Sequence, residues 1–450
     1  NSSSGFSMRG GSFINTGTVN IYNFSFDSTT FISGAGDWTS AEIWISASGE
    51  VLLASNVSIK SATFSIFTGG ILNPNNLILT FNGTLAARTF RVYGGGLSTS
   101  SGFIHTVGNV TIDLRNGSTF DSRLTIVNGI MTSKCDASPF ISYFYNQVTV
   151  DAGATFRVDA GSYTAYMEGN FLNNGTVTGG NSSSAFRASG GGAINNGIID
   201  IYDFSFDDNT VVSGTGTWGS AFTSVLSGSE VTLSSDFNFG YNATKTFRVL
   251  TGGILDLDGF TFNLNGTSGT AVFEQRATST TQSSGLIKSR GTAYLDLYTG
   301  SNFLTSVKVN TGTTTVIATP SPFVATMNNL LTIDTGATFR VEAGGYTFNM
   351  NDSVVNNGSI VSGNTSSDFR MLGSHFINNG IVSAYNVEFE SQAAAPNQYR
   401  YILGTGSFTT TNLTFLEGTY AQLLSNHSFR YFTINSGATL DLNSKVMKIT

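Results

Sequence analysis

The sequence predicts an all-β chain, a parallel β-solenoid (β-helix) of about 22-residue coils arranged as 183-residue modules. Three features lead there: self-similarity across the chain, a glycine that returns at fixed phase within each copy, and short runs that alternate apolar with polar residues. The self-similarity is visible in two phrases. Phe171 to Arg187 reads FLNNGTVTGGNSSSAFR, and Val354 to Arg370 reads VVNNGSIVSGNTSSDFR.

The repeat can be followed from the first residue. Asn1 to Ser40 matches Asn181 to Ser220, with Trp38 on Trp218, and further on Glu50 falls on Glu230. Three extra residues enter near Tyr241 and the offset becomes 183. TFSIFTGGIL from Thr63 then meets TFRVLTGGIL from Thr246, Pro139-Phe140 meets Pro322-Phe323, and GATFRVDAG from Gly153 meets GATFRVEAG from Gly336. A third copy opens at Asn364. The expected organisation is therefore copy one over 1–180, copy two over 181–363 and part of a third over 364–450, in one continuous solenoid.

Within each copy the period is shorter. Gly153, Gly175 and Gly197 are 22 residues apart, as are Gly336, Gly358 and Gly380. Each follows a polar pair and precedes a β-rich run such as TFRV or TVTG. Asn-Gly is a turn signal because both residues tolerate positive φ. The runs alternate as half-buried strands do, with Phe and Val on one face and Ser, Arg and Asp on the other. Antiparallel hairpins would also use Asn-Gly. A strand–turn unit at constant glycine phase suits stacked parallel coils instead, roughly eight per copy and about 4.8 Å apart. One coil cannot bury its apolar side alone, so stacking should create interior ladders of Phe and Ile and hydrogen-bonded ladders of Asn and Thr at the turns.

Composition narrows the function classes. Charged residues are 11 % of the 450, Gly numbers 52 and Phe 36, so there is ample apolar surface for a core and little for a solvated disordered tract. A net charge of −7 with scattered Lys and Arg disfavours a nucleic-acid partner. The single Cys135 allows neither an internal disulfide framework nor a cysteine zinc cluster. No apolar run of about 18 residues is present, so no spanning helix is expected. The sequence begins at Asn1 without a visible signal peptide, as expected of a processed chain or a piece of one. Neither end reads as a cap, so each solenoid edge is expected to be covered by more of the same chain or by the next subunit.

The NNG-T/I-V punctuation, the GG-I-L runs and the Ser/Thr/Asn-rich coils resemble haemagglutinin-like and autotransporter-like bacterial surface β-helices, and long repetitive adhesins exported by gliding bacteria. The resemblance covers the whole chain and brings no catalytic or binding motif with it. It implies a parallel β-helix with an adhesive, cell-surface role.

For chemistry, the copies filter one another. Charged positions common to both are Asp27/Asp207, Glu50/Glu230, Asp113/Asp296, Asp151/Asp334, Arg157/Arg340 and Asp159/Glu342. Asp151, Arg157 and Asp159, with Asp334, Arg340 and Glu342, are the only ones close together in sequence. They read either as a solvated ion pair or as a sugar-binding or catalytic cluster. Trp38 and Trp218 share the slot G-x-G-x-W and read as aromatics closing the coil interior or as surface rings for sugars. His105, His375 and His427 have no histidine at matching positions, and Cys135 meets Ala318, so neither a metal nor a nucleophile is expected of them. Asp207-Asp208-Asn209 lacks the spacing of known calcium loops. Asn-x-Ser/Thr sequons such as Asn56, Asn82, Asn109, Asn174, Asn242, Asn265 and Asn412 fit an extracellular setting.

The expectation is a non-enzymatic, secreted repeat protein that forms a long rigid stalk or filament on a cell surface. It needs no cofactor and no metal. Its partners are further copies of the module, in the same chain or end to end, and surface glycans. A carbohydrate-active β-helix enzyme and a virus or phage fibre are the alternatives.

Overall fold

The computed structural model describes residues 4–99, 102–115, 118–135, 140–240, 243–282, 285–318, 324–342, 345–391, 399–410 and 412–449. Of the positions named in the sequence, Asn1, Pro139, Tyr241, Asn242 and Pro322-Phe323 lie outside these. The described chain is all β, without helix, in about 19 turns of a parallel β-solenoid with coils near 22 residues. It divides into two compact units, Asn1–Ala221 and Phe222–Thr450.

In the first unit each turn lays down three short strands, and each strand pairs in parallel with the strand one turn later. Asn23–Phe26, Thr30–Ser33 and Asp37–Trp38 show the plan. They pair with Glu42–Ile45, Glu50–Leu53 and Val57–Ile59 respectively. These three stacks define the first, second and third face. Inward positions form the expected ladders: Phe24, Ile43, Phe64, Phe90 and Ile112 lie in successive register and all are buried. Their rings touch edge to face or tilted, as for Phe64 and Phe90 at 5.8 Å.

The second unit is built the same way, with stacks starting at Phe222–Val225, Glu230–Leu233 and Phe237–Phe239. In both units three turns are unusual, because the third-face and first-face strands fuse into one long strand that bends without a break. These are Ile78–Val92, Phe103–Leu114 and Arg123–Lys134, and then Thr261–Gln275, Leu286–Leu297 and Ser306–Ile317. Nothing in the local pattern of these segments announces the fusion.

The Asn-Gly turns are made differently from the expectation. Gly153 and Gly336 do have positive φ, +80° and +81°. Neither member of Asn174-Gly175, Asn196-Gly197, Asn357-Gly358 or Asn379-Gly380 does. There the glycine is required by space: a Cβ on Gly175 would lie 2.3 Å from the Ala154 carbonyl oxygen, and one on Gly197 2.0 Å from that of Gly175. The turn below, and not the local φ, selects glycine.

The copies are also rotated against the faces. Asn23–Phe26 (NFSF) stands on the first face, but its match Asp203–Phe206 (DFSF) stacks on Ala185–Ala188, Thr164–Met167 and Ile141–Phe144. That stack runs back through Phe120, Leu97 and Ile71 to Glu50–Leu53 and Thr30–Ser33 on the second face. One copy therefore spans a whole number of turns plus one face. The second unit repeats the shift. Asn412–Phe415, which matches Phe222–Val225 through the shared GTG at 214–216 and 404–406, lies in the separate stack Val324–Met327 to Thr433–Ile434.

Candidate functional site

The shared charged positions do not assemble into a common groove; several are paired near their own rung. Arg340 Nη2 meets Glu342 Oε1 at 3.1 Å, two residues along one strand. Asp334 turns away to Lys308 of the preceding turn at 3.1 Å. In the first copy Asp159 Oδ1 accepts the backbone N–H of Ala160 at 2.8 Å. Arg157 makes no ion pair among the described residues, and its Nε is buried without a hydrogen-bond partner. Asp151 closes the turn at Gly153, its carbonyl accepting from Ala154 N–H at 3.0 Å. Asp207 accepts the Tyr166 hydroxyl at 2.6 Å, and Glu50 accepts from Thr29 at 3.4 Å.

Trp38 and Trp218 are 0 % and 1 % exposed, so the surface sugar-stacking alternative is removed for both. Trp38 packs on Phe13, Phe24 and Phe26, and Trp218 on Phe204 and Phe206. Both rings lie in the coil interior. Cys135 is buried. His427 lies in the interior with Nε2 3.0 Å from Ser425 Oγ, and burial lowers its pKa below the ordinary imidazole value. Burial likewise lowers that of His105, partly offset by Asp151. No three His, Cys, Asp or Glu side chains gather as a metal site among the described residues. No helix among them is long and apolar enough to cross a membrane.

Comparison of the copies picked out Asp113 but not the charge centre around it, and it missed Glu274. Asp113, with a side chain 2 % exposed, lies between Arg91 Nε at 3.0 Å from the turn below and Arg115 Nε at 2.8 Å two residues on. Glu274 repeats this arrangement with Arg248 at 3.2 Å from the turn below and Arg276 two residues on. In both, Arg lies against an aromatic ring: Arg115 over Tyr93 at 5.6 Å, Arg248 over Phe222 at 3.8 Å. Glu274 aligns with Arg91, not with Asp113, so the centre has moved by one turn between copies. A sequence signal did exist. FRV at Phe90 and Phe247 is followed a turn later by acid-x-Arg, as DLR from Asp113 and EQR from Glu274. Each acid is engaged by two guanidinium groups, an arrangement that locks neighbouring turns together.

Two carboxylates are perturbed in a way that catalysis could use. Burial raises the pKa of Asp121, partly offset by a hydrogen bond with Thr119. Burial raises the pKa of Glu388; Arg370, at 2.6 Å, lowers it again, while Asp368 and Glu390 add to the rise. No protein-family model, curated protein or solved structure matches the chain.

Proposed function

We propose that this is a structural, adhesive repeat protein of the cell exterior, a segment of a long rigid stalk or filament. The observation that carries the reading is the rotation of the copies. Matched segments occupy different faces, so residues repeated between copies cannot converge into one groove along one sheet, as a repeated catalytic cleft on this scaffold would require. What the repeat does preserve is the interior Phe and Trp packing and the Asn-Gly turns, which serve stacking. The resemblance to surface adhesins and the sequons add the extracellular setting. Immunogold electron microscopy of the native source, with antibody raised to this chain, should decorate fibres outside the cell. Gold confined to the cell interior would remove the reading.

The enzyme alternative is favoured by raised carboxylates, Asp121 and, beside Glu390, Glu388. Release of sugar ends from a polysaccharide, abolished by Glu388→Gln, would establish it; we expect no release.

A further inference from the structure

We propose that a groove on the first unit binds a carboxylate-bearing polysaccharide, with a uronate group on Arg88. This deepens the adhesive reading and rests on it for the extracellular ligand. The groove follows the corner between the third and first faces over successive turns. Asn20 and Tyr22 line it in one turn, Thr39, Ser40 and Ala41 in the next, then Lys60 and Ala62; Arg88 stands at one end and Ser4 at the other. Its volume is about 490 Å³, room for a few sugar rings.

The electrostatics select an anion. Lys60 and Arg88 are the charged residues of the lining, and no carboxylate belongs to it. Lys60 is partly engaged by Asp37 at 2.6 Å. Arg88 makes no ion pair among the described residues, and its Nε is buried with no hydrogen-bond partner. An oxyanion at the groove end would bond the guanidinium through its Nη–H groups.

Neither cation is needed by the repeat, because Gly240 and Ala271 stand at the matching places in copy two. Arg88 ends a local departure from the ladder. The register between Ile78–Val92 and Phe103–Leu114 shifts between Gly83 and Arg88, and Leu85 within that interval is 88 % exposed. The chain thus leaves its regular path just where the guanidinium is delivered to the groove.

The rest of the lining favours a sugar over an acidic peptide. Asn20 and Thr39 bring amide and hydroxyl groups to a ligand that is itself polyhydroxylated, and Tyr22, 43 % exposed, offers a ring face. A peptide strand would need free backbone groups to pair with. Those at this corner are used between turns: Glu42 N–H donates to Tyr22 O, Ala62 N–H to Ser40 O and Thr63 N–H to Ala41 O. The chain as a whole carries −7, so its general field repels an acidic polymer and binding has to come from a local site.

Calorimetry on the whole chain at low ionic strength, with an oligomer of galacturonic acid, its methyl ester and polyglutamate, tests this. The acid oligomer should bind and the ester and polyglutamate should not. Arg88→Gln should weaken binding at least about tenfold, Arg88→Lys less, and Lys445→Gln, an equal change of charge at an exposed site far along the sequence, not at all. Matching circular dichroism and melting curves establish that the variants are folded, and Arg88→Lys keeps the test open should Arg88→Gln not fold. No heat with the acid oligomer, equal binding of polyglutamate, or equal losses in Arg88→Gln and Lys445→Gln would overturn the proposal. Such a failure leaves the stalk reading to its own microscopy, and an intracellular location would remove the adhesive reading while leaving the calorimetry intact.

Discussion

Two stretches of one corner line in the first unit, at Gly108 and at Asn173, turn the chain from the third face to the first by opposite means. At Asn173 the strands Phe171–Asn173 and Thr176–Gly179 are separate, and a buried amide handles the break. Asn173 Nδ2 donates to Asn195 Oδ1 at 2.8 Å and to Ile198 O at 3.2 Å, and its Oδ1 accepts from Gly175 N–H at 3.2 Å. Asn356 and Asn378 repeat the arrangement in the second unit. At Gly108 the strand runs on through the bend, paired Gly83 to Gly108. Gly266, Gly291 and Gly312 do the same in the second unit. The contrast gives a rule for solenoid corners. Either a side chain enters the core and accepts the bond that a broken ladder leaves open, or backbones stack so closely that no side chain fits.

Gly291→Val should show the largest effect. Gly291 has φ +70°, and a Cβ there would lie 2.5 Å from Gly266 backbone. Left-handed strain plus overpacking should cost about 4 kcal/mol in local opening, read by hydrogen exchange across the fused strands. An effect under about 1 kcal/mol would break the comparison, since the close stack would then be incidental. Next comes Asn356→Leu, which keeps volume but orphans Gly358 N–H, Ile381 O and Asn378 Oδ1. A loss of about 3 kcal/mol is expected at the turns on either side, and rescue by Asp would contradict the role of Nδ2 as donor. Gly153→Ala sharpens the contrast by separating φ from space. Gly153 has φ +80° but nothing within 4 Å of its missing Cβ, so about 1 kcal/mol is expected.

The smallest effect is one of pH, because neither corner carries a charge. His427 fills the interior place that Phe237 takes in copy two, and burial holds its imidazole below the ordinary value. The unfolded chain takes up a proton near pH 6.5 that the folded chain resists. Stability of the second unit should therefore be unaffected by this group above about that pH and fall as the pH drops through it. His427→Phe should flatten that limb in denaturant titrations, whereas the corner variants should leave its slope unchanged.

Legibility in the residues depended on where each signal resides. The 22-residue phase and the alternation in DFSF or TFRV are local, so the parallel coil and its inward Phe were legible. So was the Asn ladder, because identical residues one turn apart have little else to meet. The reason for Gly175 was not legible. Its constraint is the Ala154 carbonyl of another turn, and the neighbouring Asn points a reader to positive φ instead. Asp113 was legible only as the match of Asp296; its arginine partners and Glu274 escaped because matching copies position by position assumes that function keeps its column, and this centre slipped by one turn. Arg88 escaped for the related reason that the filter discards whatever occurs once.

The extra face in each copy has a consequence at the level of the gene. Tandem repeats lengthen and shorten by unequal exchange, and most folds tolerate that only if the added piece closes on itself. Here NFSF and DFSF serve on different faces of the same unit, so one strand works wherever the winding delivers it. A strand carried into a new copy can therefore re-form the same parallel ladder one face further round, which relaxes the requirement that a duplication match a whole number of turns.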